Sequence, residues 1–295
     1  MTLFFSVDNS TAKSDSMDTV ASRLHHLQNV CNSTRWSEVP RYGFKHCIAN
    51  HERRVIYCPF AKVACTTWKL MMVVSTSECQ KEFPGWNASA IRSTFDLSIG
   101  GVHRVQVIEY FGLEFLHNYT AKQINSKFKD YFKFMFVRNP FGRLLSGFRD
   151  KILRRRYPIY HNAVREMNAT IWNFARPSDT TVTFLDFLNY IIYNLSHGKM
   201  VNEHFAPYKS LFNPCSLKFD FIGRVETFSQ DAPVIMKHLY EKKKRCSHEN
   251  ETKGKSREEY YSTVPDAVIA KIYELYRDDF KMYGYSYPDY IKSQR

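Results

Sequence analysis

Lys62, Thr66 and Thr67 stand together in RRVIYCPFAKVACTTWKLMMV, the stretch from Arg53 to Val73. A lysine and two hydroxyls in one short loop can seat a phosphate, provided the loop leads from a strand end into a helix. The flanking residues meet that condition. Val55, Ile56, Tyr57 and Cys58 are an apolar, β-branched run of the kind that fills a buried parallel strand, and Pro59 ends it. Thr66 is placed to cap a helix whose apolar face is Trp68, Met71, Met72 and Val74. The loop would then face unpaired N–H groups and the positive end of the helix macrodipole. Small side chains at Ala61, Ala64 and Cys65 would let an anion approach the backbone closely. The spacing is not that of a Walker A loop, because G-x-x-x-x-G-K-[ST] is absent from the chain.

Arg138 and Ser146 repeat the pattern further along. Lys133 to Val137 is a second short apolar run, and Arg138, Asn139 and Pro140 carry it into FGRLLSGFRDKIL. Pro140 suits a first helical turn, and Phe141, Leu144, Leu145, Phe148 and Ile152 fall at helical spacing. Two strand-loop-helix units with cationic loops predict one ligand carrying two separated phosphates.

These strings resemble a known family. AKVACTTWK, Ala61 to Lys69, resembles the 5'-phosphosulfate loop PKVACTNWK of the Golgi carbohydrate sulfotransferases, the group containing the chondroitin and dermatan 4-O-sulfotransferases. FVRNPFGRLLSGFRDK, Phe136 to Lys151, resembles that family's 3'-phosphate motif FVREPFERLVSAYRNK. The resemblance continues through NEHF at Asn202 to Phe205, NPC at Asn213 to Cys215, DFIGRVETFSQD at Asp220 to Asp231 and IYELYRDDFKMYGYSYP at Ile272 to Pro288. It departs at Ala61, Thr67 and Asn139, where the family pattern has proline, asparagine and glutamate.

The resemblance implies an α/β domain with the P-loop nucleotide-kinase-like sulfotransferase fold, a central parallel sheet flanked by helices. It implies 3'-phosphoadenosine 5'-phosphosulfate (PAPS) as sulfate donor, no metal, and a glycan hydroxyl as acceptor. The 4-O position of a chondroitin- or dermatan-type N-acetylgalactosamine is the first expectation. Ala61, Lys62, Val63, Ala64, Cys65, Thr66 and Thr67 would hold the 5'-phosphate, and Arg138 and Ser146 the 3'-phosphate. Lys62 would stabilise charge on the bridging oxygen. For the general base three residues compete, His103, Glu203 and His204, with His103 placed first by its resemblance to the catalytic histidine of uronyl 2-O-sulfotransferases. The alternative from another class is a non-catalytic, basic glycan-binding protein on the same fold, motivated by Ala61 and Thr67.

The elements that must position these groups fit one domain. A chain of 295 residues with 44% hydrophobic content can bury a single large α/β core. Its formal net charge of +13 calls for an anionic partner. No helix-turn-helix, zinc-finger or RNA-recognition pattern is present, so a glycan fits that charge better than nucleic acid. Residues 1–40 read as a stem or disordered lead, with a short helix at Val20 to Val30, and 41–295 as the catalytic domain. A strand is expected at Val102 to Ile108, and helices at Tyr119 to Phe128, Thr183 to Leu195, Asp231 to Tyr240 and Pro265 to Tyr283. Acceptor choice is expected in Tyr157 to Asp179 and Lys242 to Ser256, with Arg154, Arg155 and Arg156 as a basic rim.

The compartment can be argued separately. Asn-x-Ser/Thr sequons at Asn9, Asn32, Asn87, Asn118, Asn168, Asn194 and Asn250 favour an N-glycosylated lumenal protein. Seven cysteines permit disulfides there; Cys215 with Cys246 is the expected pair, and Cys65 a free thiol. No run of about 18 apolar residues spans a bilayer. Similar enzymes carry one N-terminal anchor in a type II Golgi orientation, so the sequence is expected to lack that first segment.

Overall fold

In the computed structural model, residues 19–34, 44, 46–84, 103–153, 182–240 and 256–287 are described. A five-stranded sheet runs through them, built from β1 (Ile48–Asn50), β2 (Val55–Tyr57), β3 (Glu114–Phe115), β4 (Phe132–Val137) and β5 (Phe221–Arg224) in the order β3-β1-β2-β4-β5. The expectation of a parallel sheet holds for β2, β4 and β5 and is corrected for the rest: β1 pairs antiparallel with both β2 and β3. The physical reason is the short turn from Asn50 to Val55, which returns the chain beside itself and leaves no room for a crossover helix.

Helices cover both faces: α1 (Val20–Ser33), α2 (Cys65–Val74), α3 (Ser77–Glu82), α4 (Val105–Tyr110), α5 (Ala121–Lys127), α6 (Pro140–Gly147), α7 (Phe184–Ser196), α8 (Phe228–Leu239), α9 (Arg257–Tyr261), α10 (Asp266–Leu275) and α11 (Arg277–Tyr283). Among the described residues none is long and apolar enough to cross a membrane. The α2 helix is buried from Thr67 to Val74, and Trp68 packs its ring against Phe134, Phe136 and Phe228 at 4.8–5.5 Å between centroids. Gly223 is required beside that cluster, since a Cβ there would stand 2.3 Å from Phe136 Cζ.

Four sequence expectations change. Val20–Ser33 lies in the supposed lead, yet α1 packs on the body: Arg23 donates to Asp231 Oδ2 at 2.7 Å, Ile222 O at 3.1 Å and Thr227 Oγ1 at 3.1 Å. Within the strand predicted at Val102 to Ile108, the chain from Val105 onward is instead α4; its buried residue Ile108 and the buried C-cap Phe111 stand at a helical interval of three. The last helix breaks at Tyr276, whose buried hydroxyl donates to Phe205 O. Cys215 bonds to Cys31 and not to Cys246, which lies outside the described residues; α1 brings Cys31 to it, and a second disulfide joins Cys47 to Cys58. Cys65 is a free thiol as expected.

Of the sequons, Asn32 and Asn118 are exposed, whereas the Asn194 amide is buried in α7 and donates to Tyr190 O at 2.9 Å. Asn9, Asn87, Asn168 and Asn250 lie outside the described residues, as do Arg154 to Arg156, Tyr157 to Asp179 and most of Lys242 to Ser256.

Asp279 fixes the loop that supports the second cationic unit. Its fully buried carboxylate accepts from Tyr208 N at 2.8 Å and Lys209 N at 3.3 Å. Burial lifts this carboxyl to about 7. Between the ordinary carboxylate range and that value the native state holds a proton that the unfolded chain has lost. This group therefore makes stability fall as pH rises through the window, by about 1.4 kcal/mol per pH unit. Urea unfolding from pH 4 to pH 7 should show that decline, and Asp279→Asn should lower stability while flattening its slope.

Candidate active site

Adjacent parallel strands put both cationic loops on one edge of the sheet. β2 pairs with β4 from Val55↔Phe132 to Tyr57↔Phe134, so the chain leaving Tyr57 and the chain leaving Val137 emerge side by side. This is the carboxyl edge, where open α/β sheets present ligand sites.

The first loop enters α2 without a side-chain cap. Thr66 is not the cap predicted for it: the N-cap is Ala64, in the left-handed region at φ 64°, and its methyl can satisfy no N–H. The first backbone bond of the helix is Trp68 N to Ala64 O at 3.1 Å, so the amides of the opening turn precede it. Lys62 is also left-handed at φ 70°. A left-handed conformation costs a non-glycine residue roughly 1–3 kcal/mol, so the loop is held in shape by its surroundings.

Those surroundings are Asp150 and Arg143. Lys62 Nζ donates to Asp150 Oδ2 at 2.8 Å, and Lys151 Nζ lies 3.2 Å from the same oxygen. Asp150 belongs to a π-helical turn, Phe148–Leu153, that extends α6. The two lysines draw its carboxyl down to about 2, while burial lowers Lys62. Arg143, almost fully buried, donates from Nε to Ala61 O at 3.0 Å, from Nη1 to Ala206 O at 2.6 Å and from Nη2 to Glu203 O at 2.8 Å. It thereby ties the lysine loop to the NEHF segment.

The second unit follows its sequence reading closely. Asn139 caps α6 by accepting from Phe141 N at 3.0 Å, and Pro140 opens the helix. Arg138, Gly142 and Ser146 are spaced four apart and share one face. A Cβ on Gly142 would approach Arg138 Nε to 3.3 Å and Arg257 Nη1 to 3.8 Å, so the missing side chain makes room for two guanidinium groups. Among the described residues the Arg138 guanidinium and the Ser146 hydroxyl have no hydrogen-bond partner. The Arg138 backbone is pinned instead, its N–H donating to Tyr208 Oη at 3.0 Å.

A cleft of about 170 Å³ opens beside the first loop, lined by Ala61, Cys65, Lys69, His103, Glu203 and His204 among others. All three base candidates therefore share one cavity, while Arg138 and Ser146 lie outside its lining. His103 Nε2 lies 3.0 Å from Thr66 Oγ1, and its Nδ1 3.3 Å from Lys69 Nζ. His204 Nδ1 donates to Asn202 Oδ1 at 2.6 Å, and Glu203 Oε2 is 3.7 Å from His46 Nε2. Burial, then the neighbouring lysines, lower His103 to about 3 and hold His204 well below the ordinary imidazole range. Both rings are neutral at physiological pH. Thr67 is buried, and neither it nor Thr66 is among the residues that line the cleft.

Sequence reasoning missed Lys69, Arg143, Asp150 and Arg257. Two of them carried a signal: Lys69 is one helical turn from Thr66, and Arg143 one turn before Ser146. Arg257 reaches the site from α9, far along the chain, and no local pattern marks it.

Comparison with known proteins agrees with this geometry. Residues 45–286 match the Sulfotransferase family. Carbohydrate sulfotransferase 12 of Mus musculus is 30% identical over 86% of this chain and 63% of its own length. Carbohydrate sulfotransferase 11 of Rattus norvegicus is 27% identical over 84% of this chain and 69% of its own. Carbohydrate sulfotransferase 10 of Mus musculus is 26% identical over 96% and 80%. This chain thus spans a little under two thirds of the first of these relatives. No solved structure matches it. With a family match across residues 45–286 and a relative 30% identical over 86% of this chain, the chain belongs to the sulfotransferase family.

Proposed function

We propose that this protein transfers the sulfuryl group of PAPS to a hydroxyl of a glycan, in first place the 4-hydroxyl of N-acetylgalactosamine in chondroitin or dermatan. The observation that carries the reading is a pair of cationic loops leaving neighbouring strand ends, which we read as two anion seats. One is the uncapped N-terminus of α2 with Lys62, and the other is Arg138 beside Ser146. A donor with phosphates at both ends needs two such seats. The names of the relatives support a carbohydrate acceptor. The reading includes a Golgi lumenal setting, supported by the two disulfides, and a catalytic body that begins with α1.

PAPS supplies a sulfur whose bond to the 5'-phosphate is ready to break. The opening-turn amides of α2 and the Thr66 hydroxyl bind the 5'-phosphate, and Lys62 meets the charge that grows on the bridging oxygen. Asp150 holds that ammonium in place. His204 is the base of this scheme. Asn202 Oδ1 accepts its Nδ1–H, which leaves Nε2 as the basic nitrogen of the neutral ring. The acceptor proton passes to Nε2 as the new O–S bond forms and adenosine 3',5'-bisphosphate departs. Positioning both substrates in the cleft carries much of the rate.

The direct test is transfer of labelled sulfate to desulfated chondroitin, dermatan, a heparan precursor and N-glycan acceptors, with the new sulfate located by mass spectrometry. Lys62→Ala should lower kcat by about 100- to 1,000-fold while adenosine 3',5'-bisphosphate still binds. Arg138→Ala should weaken that binding by roughly 10- to 100-fold in calorimetry. His204→Ala should cost about 100- to 10,000-fold in kcat with nucleotide affinity unchanged. Normal turnover in Lys62→Ala would refute the scheme.

A further inference from the structure

Lys69 is a buried cation with a single purpose on view. It sits on α2 with 6% of its surface exposed, among Trp68, Leu70, Met71 and Met72. Removing an ammonium from water is costly unless it is hydrogen-bonded. Its one hydrogen-bond partner among the described residues is His103 Nδ1, at 3.3 Å. An ammonium carries only donors, so Nδ1 must accept, and the proton of the neutral ring then resides on Nε2. Nε2 faces Thr66 Oγ1 at 3.0 Å and donates to it. With its oxygen already accepting, the Thr66 hydroxyl has its own proton left to give. It stands in the opening turn of α2, beside amides that no side chain caps.

We propose that Lys69, His103 and Thr66 form a directed hydrogen-bond chain that aims the Thr66 proton at the 5'-phosphate of the donor, which makes His103 a positioning residue and not the base. The inference rests on the donor assignment above and gives Lys69 a role that no local motif assigns. Each link has one direction only. Lys69 donates to His103, His103 donates to Thr66, and Thr66 donates to a phosphate oxygen. Five further groups act on the ring or the ammonium without entering the chain: Lys151, Lys62 and His46 on His103, and Cys65 and Glu203 on Lys69. The cleft joins the chain to the face where His204 waits, so proton abstraction and phosphate binding fall to different imidazoles.

The experiment measures binding of two nucleotides, adenosine 3',5'-bisphosphate and adenosine 3'-monophosphate, by calorimetry, alongside kcat for sulfate transfer. His103→Ala and Lys69→Met should each weaken the bisphosphate by about five- to tenfold and leave the 3'-monophosphate unchanged, because only the former carries the group the chain addresses. His103→Gln, whose amide can donate where Nε2 does, should recover most of that loss. In a Thr66→Val background, neither change should weaken binding further. A His103→Gln variant that binds the bisphosphate normally but cannot turn over would make His103 the base and overturn the chain. Equal weakening of both nucleotides would overturn it too, since that is the mark of a general structural role. A wild-type protein that binds neither nucleotide would instead defeat the donor assignment itself, and the chain with it.

Discussion

One buried guanidinium sets the geometry on which the rest depends. Among the described residues Arg143 makes no ion pair with a carboxylate; its charge is spread over the carbonyls of Ala61, Glu203 and Ala206, and its guanidinium carbon lies 4.4 Å from the Tyr208 ring centroid. Arginine suits this work because its five donors diverge in a fixed plane, where a lysine would offer a single point. The three carbonyls belong to the lysine loop, to the NEHF segment and to Ala206, which directly follows it. The arginine grows from the helix that carries Gly142 and Ser146. A single side chain thus ties the lysine loop and the NEHF segment to the helix that follows Arg138.

The field inside the cleft follows from that assembly. Lys69, Lys151 and Lys62 all act on the His103 ring, and Asp150 is already engaged by Lys62 and Lys151. Burial first, and then these cations, depress both His103 and His204. A polyanionic ligand reverses part of this balance. Its charge relieves the crowding of cations and raises the basicity of a nearby ring, so occupancy and proton affinity rise together.

Much of this arrangement was legible in the sequence, for identifiable reasons. The β2 and β4 runs, the apolar face of α2, Pro140 at the start of α6 and the Thr183 capping box of α7 are local signals, each decided within about ten residues. Arg138 and Ser146 were readable because a helical repeat of four places them on one face. What stayed hidden depends on distant partners. The antiparallel β1 and β3 are only three and two residues long, too short for a pattern. The cap of α2 is a left-handed alanine, a state that residue type does not suggest and that tertiary contacts impose. The Cys31–Cys215 bond required knowing that α1 lies against the body, through a buried Arg23–Asp231 pair separated by 208 residues.

That disulfide also closes a covalent ring. Its cysteines are 184 positions apart, and the ring takes in both cationic loops, the NEHF segment and all of β1 to β4. A protease cutting the backbone once anywhere inside the ring releases no fragment. The nicked polypeptides stay tethered and migrate as one until a reductant opens the bond.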